Sequence, residues 1–269
     1  MVALIFITNW AQKCRHDLIM EQGAELTYRV LLAFFPFLIF LMAWVGFLEL
    51  DKSAFLLHLP DIFPADTAAL ITGFMEDLGG AQSRGLLSTG LFFAVYNTTN
   101  GFRAVIRATN RAFDVEDARG LVRRVGISFA LMLLFTFSLL FMMGVLMFGA
   151  DIWGFLFPGA PGFLFNAVRV VGALALLTIL TSFIYKLSCA RKLSLGHVFP
   201  GAVFTVIAWA AASTAFGFII TNFTQYPAIY GSIAGVFILV LWLNLICVIL
   251  LIGNECNAVL YGMGRHNRR

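Results

Sequence analysis

Residues 232–254 read SIAGVFILVLWLNLICVILLIGN, and none of them is charged. The charge-free run begins earlier still, since no Asp, Glu, Lys or Arg occurs from Leu193 to Asn254. A helix rises about 1.5 Å per residue, so roughly 20 apolar residues cross a hydrocarbon core of about 30 Å. Such a run is far too long for a barrel strand, whereas a helix satisfies its own backbone hydrogen bonds in lipid. Earlier in the chain, Val30–Leu48, Gly85–Phe102 and Val125–Ala150 are also free of charge. The composition agrees, with 61% hydrophobic and 12% charged residues. A soluble domain carries about 25% charged residues, so the chain reads as an all-α integral membrane protein.

The runs predict six transmembrane helices at about 30–50, 86–108, 126–150, 164–186, 199–221 and 232–254, divided by turn and breaker residues. Residues 1–29 read as an amphipathic lead, 30–260 as the membrane domain and 261–269 as a basic tail. An even number of spans puts both ends on one side. The basic residues of that side are Lys13, Arg15 and Arg29, then Arg103, Arg107, Arg111, Arg119, Arg123 and Arg124. Lys186, Arg191, Lys192, Arg265, Arg268 and Arg269 complete it, leaving only Lys52, Arg84 and Arg169 of the 18 elsewhere. The positive-inside bias makes both termini cytoplasmic. The net charge of +4 reports this asymmetry and no affinity for nucleic acid. The loop between spans 1 and 2 carries Pro60 and Pro64 among apolar clusters and reads as short amphipathic helices on the outer face.

The opening MVALIFITNWAQKCRHD lacks the positive start and the small-residue cleavage site of a signal peptide. Cys14, Cys189, Cys247 and Cys256 show no C-x-x-C spacing, which predicts neither disulfide nor metal framework. His16, His58, His197 and His266 are scattered, and no zinc-protease, nucleophile-elbow or P-loop motif occurs. No catalytic residue, metal or cofactor is expected.

The polar residues that stand out lie in AVYNTTNGFRAVIRATNR, residues 94–111. At about 100° per residue, Asn97, Asn100, Arg103, Arg107, Asn110 and Arg111 share an arc of roughly 140°. An arginine at mid-bilayer costs about 2.5–3.5 kcal/mol, so Arg107 and Arg111 belong at the inner interface, with Arg103 snorkelling towards it. One account makes the arginines anchors and the asparagines helix-packing residues. The other makes Asn97, Asn100, Arg103, Arg107 and Arg111 a stripe for an anionic headgroup, because a guanidinium fork donates two hydrogen bonds to phosphate. Glu255, flanked by Asn254 and Asn257 at the inner end of the last span, is expected to pair with Arg103 or Arg107. Arg169 is expected to meet Asp151 or the outer headgroups.

Four stretches carry a family resemblance: AELTYRVLLAFFPFLIFL at 24–41, LLHLPDIFPADTAAL at 56–70, NTTNGFRAVIRATNRAFDVEDARG at 97–120 and YGSIAGVFILVLWLNLICVILLIGNECNAVL at 230–260. Together they resemble the YihY/virulence factor BrkB family of bacterial inner-membrane proteins over essentially the whole chain. The resemblance implies a six-span fold of its own and no catalytic residues. It adds Tyr28 and Tyr230 to Glu255, Asn254 and Asn257 as ion-pair or gating candidates. Members were formerly labelled ribonuclease BN, a label this sequence does not support, since it lacks the metal ligands of such a hydrolase. The function implied is transport or exchange of anionic lipids or lipid-linked envelope precursors. The alternative is a structural protein that organises envelope machinery through protein partners or as a homo-oligomer.

Overall fold

The computed structural model describes residues 2–47, 68–73, 75, 84–157, 162–223 and 233–266. These form seven helices: α1 (Val2–His16), α2 (Ile19–Phe47), α3 (Arg84–Ala112), α4 (Leu121–Leu156), α5 (Gly162–Ser188), α6 (Leu195–Phe223) and α7 (Ile233–His266). A short helical stretch at 68–73 accompanies them, and the described residues contain no strand. The described residues of each predicted span fall on one of the helices α2 to α7. By length and composition α4, α5, α6 and α7 can each cross a membrane. Much of the predicted outer loop, with Pro60 and Pro64, lies outside the described residues, as do Tyr230 and the end of the basic tail. Its described part packs inward, with Ala68, Ile71 and Met75 buried against Phe37, Leu38 and Met132.

The lead at 1–29 is not one element. α1 stops at His16, and α2 starts at Ile19 and runs unbroken past residue 30 and through Pro36. The break is local, with Leu18 in the left-handed region at φ 52°. A bulky side chain there costs roughly 1–2 kcal/mol, so the corner persists only because its neighbours hold it. Gln22 of α2 bonds across it, its side-chain amide donating to the Asp17 carbonyl, and the Asp17 carboxylate lies 3.3 Å from Lys13 and 2.9 Å from His16.

α7 is the centre of the bundle. Its apolar stretch is 56% buried inside the protein, against 11% for those of α5 and α6. α6, α2, α1 and α3 all pack against it. Outward faces are apolar instead, with Phe129, Phe137, Phe141, Val171, Ile207 and Phe218 exposed. That inversion suits a bundle surrounded by lipid, where the drive to bury apolar side chains is absent and close packing decides contacts.

α6 and α7 approach each other closely at two glycines. Gly201 and Gly253 face each other so tightly that a Cβ on either would overlap the opposite backbone or the Thr205 hydroxyl. Side chains tie the crossing. Asn257 Oδ1 accepts the Gly201 N–H at 2.6 Å, and its Nδ2 donates to the Val198 carbonyl at 2.9 Å. The Tyr185 hydroxyl, from α5, donates to the Leu250 carbonyl at 2.7 Å and lies 2.8 Å from Thr205 Oγ1. Substituting Gly253→Ala should cost about 1–3 kcal/mol through overpacking. Thermal unfolding in detergent should show this loss, while Gly262→Ala, where a Cβ meets nothing within 4 Å, should not.

Candidate functional site: an arginine-lined cavity

α3 ends in a Schellman turn. The Val115 N–H bonds the Asn110 carbonyl at 2.9 Å and the Asp114 N–H bonds that of Arg111 at 3.0 Å. The residue between them, Asp114, takes the left-handed conformation at φ 49°, where glycine is usual but Asp is tolerated. The turn throws the following segment back across α3. Asp117 then meets Arg119 through a two-pronged pair, at 2.7 Å to Oδ1 and 3.0 Å to Oδ2.

That pair is used to close another helix. Arg119 donates to the Ser188 carbonyl at 2.7 Å and the Leu187 carbonyl at 3.2 Å, at the end of α5, whose last carbonyls have no helical partner. Asn110 completes the closure, accepting the Ala190 N–H at 2.6 Å and donating to Ser188 at 3.3 Å. Asn110, part of the polar stripe, is therefore a packing residue. Arg124 holds the segment from the other side, donating to the Arg119 carbonyl at 2.7 Å.

The three arginines of the stripe border open space. A cavity of about 440 Å³ is lined by Arg103, Arg107, Arg111 and Arg124, with Asn110 and Asp117 as further polar groups. Ile106, Val115 and Leu121 supply its apolar wall. A second cavity, of about 310 Å³, lies across Arg107 and Arg111 and is bordered by Gln22 and Glu25 of α2. Arg107 donates to Glu25 at 3.3 Å, with both side chains more than half exposed. An exposed pair of this kind contributes about 0–1 kcal/mol, so the guanidinium is only lightly held.

The two asparagines at greater depth bond within their own helix. Asn97 donates to the Phe93 carbonyl at 2.9 Å, and Asn100 accepts from Arg103 at 3.4 Å. Neither lines the two cavities. Exposed rings of Phe92, Phe93 and Tyr96 lie along this part of α3.

Glu255 does not take the partner expected of it. Arg103 and Arg107 are turned to Asn100 and Glu25, while Glu255 is buried against Asp17 and Lys13 of the α1–α2 corner. The reason is geometric: α1 folds back onto α7, and nothing in the spacing of the long helices announces that contact. Asn257 is the α6–α7 clamp, and Asn254 is buried with no partner for its Oδ1 among the described residues. Tyr28 is exposed, and Tyr230 lies outside the described residues. Arg169 sits over the Phe165 ring at 5.9 Å, and the side chain of Asp151 is outside those described. All four cysteines are free. Among the cavity's neighbours, Glu25, Asp117, Arg119 and Arg124 were not singled out from the sequence. Two signals were available: Glu25 stands four residues before Arg29, and Asp117 two before Arg119 in the turn after α3.

A family model described as virulence factor BrkB matches residues 10–268. The chain belongs to this family. A BrkB-family relationship also runs through individual proteins. The ribonuclease-like protein YfkH of Bacillus subtilis is 34% identical over 90% of both chains. A UPF0761 membrane protein of Alkalilimnicola ehrlichii is 26% identical over 98% of this chain but only 60% of its own length. Another, of Alteromonas mediterranea, is 26% identical over 91% of this chain and 83% of its own. No solved structure matches. The resemblance drawn from the four sequence stretches is thus the family itself, and the chain is a membrane protein with several apolar helices.

In this BrkB-family chain the Arg119 hydrogen bonds and charge hold the Asp117 carboxyl below its ordinary 3.8, against an opposing effect of burial. A carboxyl with a lowered folded-state value stabilises the fold above its unfolded value, and that stability is lost as the pH falls through the folded value. Asp117→Asn should therefore lower the unfolding temperature at neutral pH, by the equivalent of about 1–3 kcal/mol for a broken charged hydrogen-bond network. The gap from the wild type should close as the pH is taken below 3.8, read by thermal unfolding across a pH series.

Proposed function

We propose that this protein is a non-enzymatic, six-span protein of the bacterial inner membrane that transports or exchanges anionic lipids or lipid-linked envelope precursors. Both termini are cytoplasmic in this reading, because the basic residues gather at the ends of the helices joined by the α3–α4 and α5–α6 turns. The arginine-lined cavity then opens at the cytoplasmic headgroup level.

One observation carries the reading: four arginines face a cavity of about 440 Å³ with one carboxylate, Asp117, among them. Asp117 is already engaged by Arg119, so the cavity keeps a surplus of guanidinium donors. Guanidinium forks bind phosphate and carboxylate oxygens in pairs, and each charged hydrogen bond contributes about 1.5–3 kcal/mol. Leu121 and Val122, at the start of α4, are highly exposed beside this cationic wall. A polar headgroup on the arginines with an acyl chain along an apolar lip satisfies both surfaces. The word ribonuclease-like belongs to the Bacillus relative, and no nuclease motif in this sequence brings it here.

A second reading, an envelope-organising protein with protein partners, is favoured by Asn110, whose polar groups are consumed in holding α3 to α5. Lipid analysis after extraction into native membrane discs separates the two. Wild type should retain one anionic lipid above its bulk membrane share, and Arg107→Gln and Arg111→Gln should lose it while remaining folded by thermal unfolding. Bulk-like lipid in the wild type overturns the lipid reading and leaves the second.

A further inference from the structure

The junction of α1 with α7 holds charged groups that the arginine cavity does not use. Trp10 donates its indole N–H to the Ile252 carbonyl at 3.2 Å, and its ring stands edge-on to Phe204 at 5.2 Å. At the other end of this contact, the carboxyl of Asp17 meets that of Glu255. Both are buried, at 3% and 1% exposure. Asp17 Oδ2 and Glu255 Oε2 are shut off from solvent and accept no well-aligned hydrogen bond from the described residues, although Lys13 Nζ lies 3.3 Å from Asp17 Oδ2.

The surrounding charges do not balance two carboxylates. Among the described residues Lys13 is the one ammonium of the group, 3.3 Å from Asp17 and 3.1 Å from Asp114 in the turn after α3. His16 Nδ1 lies 2.9 Å from Asp17 Oδ1, with its ring 85% exposed. The thiols of Cys14 on α1 and Cys256 on α7 border the group, and Tyr185 of α5 stands near Cys256. One lysine thus faces three carboxyls, two of them in contact and sheltered from water. Two carboxylates sharing such a site do not both ionise, because like charges at this distance repel and neither has water to screen it.

We infer that Asp17 and Glu255 form an acid–carboxylate pair that binds one exchangeable proton, and that this proton holds α1 on α7. The O–H of Glu255 donates to the Asp17 carboxylate, whose charge Lys13 offsets, and so gives the sheltered Glu255 oxygen a partner. Release of the proton, through Asp17 and the exposed His16 ring to water, leaves two facing anions. The corner at Leu18 then separates from α7, and the Trp10 contact loosens with it. The site is a proton-binding element outside the arginine cavity, and it stands whether or not that cavity takes lipid.

Infrared difference spectra of the full chain in lipid membranes, with glutamate carboxyls labelled with carbon-13, test this in the wild type and in one variant. The other described glutamates, Glu21, Glu25 and Glu116, are exposed. At neutral pH a protonated-carboxyl C=O band that shifts with the label is expected. Raising the pH should bleach it and, in parallel, accelerate amide exchange of α1 beyond the intrinsic base-catalysed rise. Glu255→Gln, a fixed neutral partner, should lack the band and keep α1 protected across the same range. Absence of the labelled band at neutral pH overturns the proposal. So does bleaching that leaves α1 protection unchanged, or a folded Glu255→Gln protein that loses α1 protection at the wild-type pH.

Discussion

The backbone of α7 is the surface on which the rest of the bundle is hung. Three of its carbonyls accept side-chain donors from three other helices: Ile246 from Trp209 of α6, Leu250 from Tyr185 of α5, and Ile252 from Trp10 of α1. A helical carbonyl has a second lone pair, so these bonds are added without breaking the helix. In lipid, apolar side chains gain nothing by leaving one hydrocarbon for another, and specific contacts must select the arrangement. The Gly201–Gly253 approach is such a contact, since it brings backbones near enough for Asn257 to reach the Gly201 N–H and the Val198 carbonyl.

The polar stripe of α3 follows from the same constraint. A side chain at depth must find a partner, and α3 meets this requirement differently along its length. Asn97 and Asn100 turn to their own helix, and Asn110 is absorbed into the end of α5. Arg103, Arg107 and Arg111 reach a cavity that Arg124 also lines from α4. Anchor, packing residue and candidate binding group thus lie on one helical face. The packing account is visible at Asn110, while the headgroup account rests on the arginines as a proposal.

Much of the fold was legible because lipid imposes so simple a rule. Long apolar runs, charge-free except around Arg169 in α5, located the helices α2 to α7, and the chain's residues carried the family relationship. Less of the candidate site was legible. The stripe at Arg103, Arg107 and Arg111 follows from helical spacing alone, but Glu25, Asp117 and Arg124 reach the cavity from α2, from the turn after α3 and from α4. Their roles depend on the Schellman turn at Asp114 and on how α2 lies along α3, which no local pattern states. Glu255 is the sharpest case. Its place beside asparagines on the last helix was visible, while its neighbour is a carboxyl from a corner near the start of the chain.

The sequence by itself determined the solvent of this protein, the number and place of its long helices, and the residues that α3 presents on one face. Those are properties of runs and periods, and they are read without knowing what lies across the bundle. Tertiary structure decided which polar groups meet. It gave Asn110 to α5, Arg107 to Glu25, Asn257 to the start of α6 and Asp17 to Glu255. The physical reason is that a buried polar group settles by distance and geometry, and the distances here are closed by helices far apart in sequence.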